Sequence, residues 1–156
     1  MASATDDEVL GRLADVEAIR DLARTYAHQV WRRSIAGVVG VFTDDGRVEL
    51  GTVPPVEGRA AITAAYEEVL GGTDEFLPFV QQHLVDLDGD TATGTCYIQV
   101  WATIEGRRLI GGGYYDDRYR RTAAGWRISH RTVNMRPFIP VGPEGPEGSQ
   151  APEPTE

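Results

Sequence analysis

The hydrophobic and polar positions of residues 79–136 alternate as they do in β-strands. Three segments rich in Val, Ile, Thr, Tyr and Trp are joined there by short turns at Asp88-Gly89-Asp90, Glu105-Gly106 and Ala123-Ala124-Gly125. Turns this short place the strands that they join antiparallel. The strands beside Glu105-Gly106 are far longer than the usual strand and must coil strongly, and Gly111-Gly112-Gly113 supplies a place to bend. The pattern predicts a strongly bent antiparallel sheet over 79–136.

The first seventy residues follow a helical period instead. Thr5 and Glu8 form a capping-box pattern that begins a helix over 6–31. Its apolar residues recur at three- and four-residue steps: Leu13, Val16, Ile19, Ala23, Tyr26 and Val30. Ser34 is a suitable cap for a short helix over 35–42, and Gly58 precedes a third helix over 59–70. The prediction is an α+β cone in which the bent sheet wraps three N-terminal helices and leaves a pocket between them.

Shorter features complete the predicted order of elements. Residues 43–46 read as a turn, 47–50 as a first strand and 73–78 as a loop into the sheet. On strand 91–101, one parity is predicted to face the hollow: Ala92, Gly94, Cys96, Ile98 and Val100. The other parity includes Tyr97, Gln99 and Trp101, which is too aromatic for open solvent and predicts a homodimer through that face.

Length and composition indicate one domain over 1–140, followed by a disordered acidic Pro/Gly-rich tail over 141–156. The acidic start and the lack of a long apolar run predict a cytoplasmic protein without a membrane partner. The net charge of −9 disfavours nucleic acid as a partner.

Several kinds of chemistry are excluded by the residues present. All 15 basic residues are Arg, so imine chemistry on a lysine is impossible. The three histidines, His28, His83 and His130, are spaced too widely to predict a metal site, and Gly111-Gly112-Gly113 does not precede a helix as a phosphate loop would. Asp116-Asp117 indicates a solvated edge or an arginine partner. No metal and no cofactor are expected.

Tyr26 lies on the apolar stripe of the first helix, where its hydroxyl requires a partner. It is either a core tyrosine or a functional donor, and the residues alone do not decide between these two roles. Cys96 reads as a buried reduced thiol.

Several segments together resemble a known family over about residues 6–137. They are Ala18–Leu22 running into Tyr26, Val56–Ile62, Val85–Gly94, Gly111–Asp117 and Gly125–Thr132. In their order and spacing they resemble the SnoaL-like branch of the NTF2-like superfamily, which includes dehydratases, a dehydrochlorinase and cyclases. The resemblance implies a cone around an apolar pocket and association through the outer face of the sheet.

The chain departs from this family at two positions. The resemblance places the catalytic Asp of the dehydratase-type members at Trp31, five residues after Tyr26, and their His at Pro78, four residues before Gln82. A carboxylate–imidazole pair transfers protons, so neither half of that device is retained. Tyr26 and Arg131 do match family positions. The alternative is that Trp31 is a core aromatic, as a large aromatic residue at a helix end usually is, and fills the space of the missing Asp.

Two functions follow from this comparison. The first is a cofactor-free cyclase, isomerase or dehydratase-type enzyme that acts on a small apolar intermediate of secondary metabolism, with ring closure or epoxide opening favoured. Tyr26 would donate a proton, His83 would act as acid or base if a bulge turns it inward, and Arg131 would hold an anionic substrate group. The expected substrate-binding residues are Trp31, Tyr66, Gln82, Ile98, Val100, Tyr114, Val133 and Met135. The second is a protein that binds a ligand or a partner without catalysis.

Overall fold

A computed structural model describes residues 4–142. The helices are α1 (Asp6–Trp31), α2 (Ile35–Val39) and α3 (Arg59–Gly71), and the strands are β1 (Phe42–Glu49), β2 (Val56–Glu57), β3 (Glu75–Asp88), β4 (Thr91–Ile104), β5 (Arg107–Thr122), β6 (Gly125–Met135) and β7 (Ile139–Pro140). The predicted acidic tail lies, from residue 143 onward, outside the described residues. Within 4–142, the structure has no helix that is both long and apolar enough to cross a membrane.

The helices begin where their capping residues predict. The backbone N–H of Thr5 donates to the carboxylate of Glu8 at 2.8 Å, and the N–H of Glu8 donates to the Thr5 hydroxyl at 3.3 Å. Ser34 caps α2 through the N–H of Gly37. The buried face of α1, with Ile19, Ala23, Tyr26 and Val30, packs into the concave side of the sheet. The three predicted helices are therefore present, although α2 ends at Val39.

The sheet has the strand order β2-β1-β6-β5-β4-β3, and β7 pairs with β5. Strands β3 to β6 are antiparallel neighbours as predicted, but β1 pairs with β6 in parallel, so the sheet is mixed. Short turns determine the direction of consecutive strands only, whereas β1 reaches β6 through long-range packing. Residues 43–46, predicted as a turn, lie within β1, where the register with β6 shifts between Phe42 and Arg47.

A bulge in β3 decides which way His83 faces. Val80 pairs with Ile98 and His83 pairs with Cys96, so three steps on β3 match two steps on β4. Before the bulge the even-numbered residues Pro78 and Val80 face inward. After the extra residue the odd-numbered positions do so, beginning with His83. His83 is consequently buried, and Gln82 is exposed.

The faces of β4 agree with the predicted alternation. Ala92, Cys96, Ile98 and Val100 are buried, whereas Tyr97 and Trp101 are 41% and 36% exposed on the outer face. The curved sheet, the three helices and the pocket between them form the α+β cone that the pattern predicts.

The segment after β6 folds back across the sheet. The N–H of Arg136 donates to Gly112, and Ile139 pairs with Ile110 of β5. The ring of Phe138 lies directly over Gly111, where a Cβ atom would come within 2.8 Å of it. The absence of a side chain at Gly111 is therefore what admits the Phe138 ring.

Candidate active site

A cavity of about 440 Å³ lies between α1, α3, the concave face of the sheet and the segment that carries Phe138. Its walls are mainly apolar, and the apolar residues include Val30, Leu50, Leu70, Phe76, Ile98, Val133, Met135 and Phe138. The polar residues among those that line it are Tyr26, Tyr66, Tyr115, Thr52 and Asn134. A depression of similar volume on the outer sheet face, lined by Thr93, Asp116 and Thr132, is more open to solvent. The inner cavity is the better ligand site because it encloses apolar surface around a few polar groups.

Three tyrosines converge on this cavity. The ring of Tyr26 packs edge-on against Tyr66, with ring centroids 5.9 Å apart, and against Tyr115 at 5.5 Å. Burial raises the pKa of the Tyr66 and Tyr115 phenols well above the ordinary value. The hydroxyl of Tyr66 has no hydrogen-bond partner within residues 4–142. These phenols are therefore neutral hydrogen-bond donors at pH 7.

An ion pair lies behind the tyrosines. Arg131 donates from Nε to Oδ1 of Asp117 at 2.8 Å and from Nη2 to Oδ2 at 2.6 Å, and both side chains are fully buried. Burial disfavours the charged guanidinium, but the attraction of Asp117 outweighs this effect and holds the pKa of Arg131 well above its usual value. This bidentate geometry is the strong form of an arginine–carboxylate contact.

Two further side chains extend this ion pair into a hydrogen-bond network. The hydroxyl of Tyr119 donates to Oδ2 of Asp117 at 3.0 Å, and Nε2 of His83 lies 2.9 Å from the same hydroxyl. Because the Tyr119 proton is given to Asp117, we assign Nε2 of His83 as the donor and Nδ1 as the bare nitrogen. Burial lowers the pKa of His83 to about 4, with partial compensation from Asp117, so the imidazole is neutral at pH 7.

The guanidinium of Arg131 also connects this hydrogen-bond network to the cavity. Its central carbon lies 3.9 Å from the ring centre of Tyr115 and 4.4 Å from that of Tyr26. Both distances are within the range of cation–π attraction. Arg131 is predicted from the sequence to hold an anionic substrate group, but its guanidinium is bound instead to the carboxylate of Asp117.

Not all predicted site residues lie at the cavity. Tyr26, Tyr66, Ile98, Val133 and Met135 line it. Arg131 lies behind the tyrosines, and His83 borders a different surface depression with Arg20, Arg24, Val80 and Gln81. Val100 is fully buried in the core but is not one of the lining residues.

Besides Val100, three further expected lining residues lie elsewhere. Trp31 is 45% exposed and donates from Nε1 to the carbonyl of Pro78, because the last turn of α1 reaches the edge of β3 rather than the hollow. Gln82 faces outward because of the bulge in β3. Tyr114 faces the outer side, with its ring centroid 5.8 Å from that of Tyr97, since strand alternation turns its neighbour Tyr115 inward.

Other residues of this site were not in the predicted set: Asp117, Tyr119, Tyr115, Asn134 and Phe138. Tyr115, Asp117 and Tyr119 share one parity of β5 and are all buried. Applying strand alternation to β5 would have grouped them. Nothing local in the sequence indicates that Phe138 returns to the cavity.

Comparison with known proteins identifies the family. Residues 11–132 match the model of the SnoaL-like domain, and the chain therefore belongs to that family, in the SnoaL-like branch of the NTF2-like superfamily. Rv2910c, an uncharacterized protein of Mycobacterium tuberculosis, is 28% identical over 137 residues, which are 84% of this chain and 93% of the relative.

Two solved structures are similar to the whole cone. A proposed aromatic ring hydroxylase from Novosphingobium aromaticivorans has a TM-score of 0.76 and 29% identity, over 83% of this chain and 94% of that chain. The structure of LinA has a TM-score of 0.81 and 19% identity, over 92% and 97% of the two chains. At that identity the similarity to LinA shows the fold alone.

Proposed function

We propose that this member of the SnoaL-like family is a cofactor-free enzyme that rearranges a small, mostly apolar molecule by proton donation from tyrosine. Ring closure or epoxide opening is the favoured reaction. The observation that carries the proposal is the convergence of Tyr26, Tyr66 and Tyr115 on one mainly apolar cavity.

The cavity contains suitable proton donors for such a reaction. A neutral phenol in an apolar site donates a hydrogen bond to an oxygen that gains negative charge as its carbon–oxygen bond breaks. Tyr26 is our choice for this donor because it contacts both other tyrosines and the cation of Arg131.

The base side is not provided by a carboxylate or imidazole of the cavity wall within residues 4–142. Asp117 is bound to Arg131 and Tyr119, and His83 faces a different depression. A reaction that carries its own nucleophile suits this arrangement. In an epoxy-alcohol, the substrate hydroxyl attacks one epoxide carbon. The bond between that carbon and the epoxide oxygen breaks, and the epoxide oxygen takes a proton from Tyr26. The proton lost by the attacking hydroxyl then restores the phenol, so no group is consumed.

The test is turnover of apolar epoxy-alcohols by wild type, Tyr26→Phe and the control Tyr97→Phe, which removes a hydroxyl from the outer face of the sheet. Loss of a general acid typically lowers the rate by about 10²–10⁴-fold. We expect that loss for Tyr26→Phe and wild-type turnover for Tyr97→Phe. Turnover of Tyr26→Phe within a few-fold of wild type would assign Tyr26 to the core alone.

A second candidate function is ligand binding without catalysis. The observation in its favour is that Trp31 and Pro78 contact each other at the positions where the resemblance places the catalytic Asp and His. Tight binding of the same epoxy-alcohols without turnover by wild type would establish this function instead.

A further inference from the structure

The charge of Arg131 is neutralised inside the protein before any ligand arrives. Asp117 accepts hydrogen bonds from Nε and Nη2 of Arg131 and from the hydroxyl of Tyr119. None of the residues that line the cavity within 4–142 carries a formal charge. The interior therefore presents polar donors but no net charge to a ligand.

The cation is nevertheless close to the cavity. It stacks against Tyr115 at 3.9 Å and Tyr26 at 4.4 Å, and these two rings form part of the cavity wall. Nη1 of Arg131 is buried and has no acceptor within the described part of the chain. One aromatic layer thus separates a permanent positive charge from the ligand.

We propose that Asp117 is a specificity-determining residue that cancels the charge of Arg131 and so restricts the cavity to uncharged ligands that carry a hydrogen-bond acceptor. Arg131, held in place by this pair, positions the rings of Tyr26 and Tyr115. The inference rests on the ligand cavity of the proposed function, and it names the charge class of the substrate for that same site.

The physical reason is the cost of an unpaired charge in a medium of low polarity. An anionic ligand would lose its hydration on entry and would meet a cation whose charge is already balanced. An uncharged ketone, ether or alcohol loses far less hydration free energy on entry than an anion does, and it accepts a hydrogen bond from a phenol. If the carboxylate of Asp117 becomes an amide, the cation is unbalanced and attracts an anion through the tyrosine layer.

The test compares two probes of nearly equal size, 2-acetonaphthone and 2-naphthoate, by calorimetric titration at pH 7. The variant Asp117→Asn removes the balancing charge with little change of shape. The matched control Asp116→Asn removes the same charge one residue earlier, on the outer face, where Asp116 accepts a hydrogen bond from Thr95.

We expect wild type and Asp116→Asn to prefer the ketone by tenfold or more. In Asp117→Asn the ratio of the two affinities should shift toward naphthoate by roughly tenfold or more, as Coulomb attraction across several ångströms at intermediate polarity implies. A purely structural role of Asp117 would weaken the binding of both probes alike. An unchanged ratio in folded Asp117→Asn would overturn the proposal.

A second variant keeps the test decisive if Asp117→Asn does not fold. Asp117→Leu/Arg131→Met removes both charges and preserves apolar volume, a change that buried pairs often tolerate. It should retain the ketone preference of wild type, and a gain of naphthoate affinity would contradict the proposal. Equal binding of both probes by wild type overturns the inference alone. Failure of wild type to bind either probe overturns it together with the ligand cavity.

Discussion

The indole Nε1 of Trp31 donates a hydrogen bond to the carbonyl oxygen of Pro78 at 2.8 Å. This contact joins the last residue of α1 to the start of β3. The ring of Trp31 also packs edge-on against Phe79, with centroids 5.2 Å apart. The two positions at which the resemblance places a catalytic Asp and His are therefore neighbours in space, and here they form a structural clamp between helix and sheet.

Trp31→Phe removes the hydrogen bond of this clamp and keeps an aromatic ring. Because one hydrogen bond contributes about 1 kcal/mol, we expect the free energy of unfolding to fall by that amount. The affinity for a cavity ligand should stay unchanged, since Trp31 lies outside the cavity. Trp31→Ala, which also removes the contact with Phe79, should cost more. Urea denaturation measures the free energy of unfolding, and calorimetric titration measures the ligand affinity. A weaker ligand affinity in Trp31→Phe would show that Trp31 contributes to the binding site.

The stability of the protein should fall in mild acid because of His83. The unfolded imidazole takes up a proton near its ordinary pKa of 6.5, whereas the folded one does so only near 4. Between these values the unfolded state binds more protons, so stability is complete above about pH 6.5 and is lost as the pH falls toward 4. The loss from this group is at most about 3 kcal/mol.

The contribution of His83 is isolated by comparing variants. His83→Gln should flatten the dependence of the unfolding free energy on pH between 4 and 6.5, measured by urea denaturation at each pH. His28→Gln is the control, because His28 is exposed on α1 and its replacement should leave the profile unchanged. Identical profiles for wild type and His83→Gln would show that burial does not shift the pKa of His83.

Gly111 and Gly112 should respond differently to replacement by alanine. A Cβ at Gly111 would lie 2.8 Å from the Phe138 ring, whereas a Cβ at Gly112 would meet only the carbonyl of Ile98, at 3.8 Å. Gly111→Ala should therefore displace Phe138 and cost about 1–3 kcal/mol, as overpacking typically does. Gly112→Ala should be close to neutral. Thermal unfolding by circular dichroism distinguishes them, and equal effects would mean that Phe138 is not anchored on Gly111.

The outer face of the sheet is our predicted dimer interface. Tyr97 and Trp101 expose 41% and 36% of their surface there, and Phe79 exposes 41%. We expect sedimentation at micromolar concentration to give about twice the 17.1 kDa monomer mass. Trp101→Glu should produce monomers because it places a charge in a desolvated interface. Leu10→Glu, on the exposed side of α1, should leave the dimer intact, and a monomeric wild type would remove the prediction.

Local interactions alone determined much of this protein. The capping box at Thr5 and Glu8, the apolar stripe of α1 and the alternation along β4 each involve residues a few positions apart, so their periods can be read from the chain. The tight turns likewise determine that β3 to β6 are antiparallel neighbours. These features account for the helices, the long strands and the hollow, and they placed Tyr26 in it.

The tertiary structure decided the rest, because the deciding contacts join residues far apart in the sequence. The bulge that turns His83 inward depends on the pairing of β3 with β4. The parallel pairing of β1 with β6 cannot be predicted from a turn, because no short turn connects these two strands. Alternation along β5 separates Asp117 from the exposed Asp116, but only the fold shows that the partner of Asp117 is Arg131 on the adjacent strand. The register of β5 against β6 pairs Asp117 directly with Arg131 and so brings the inward carboxylate to the buried cation.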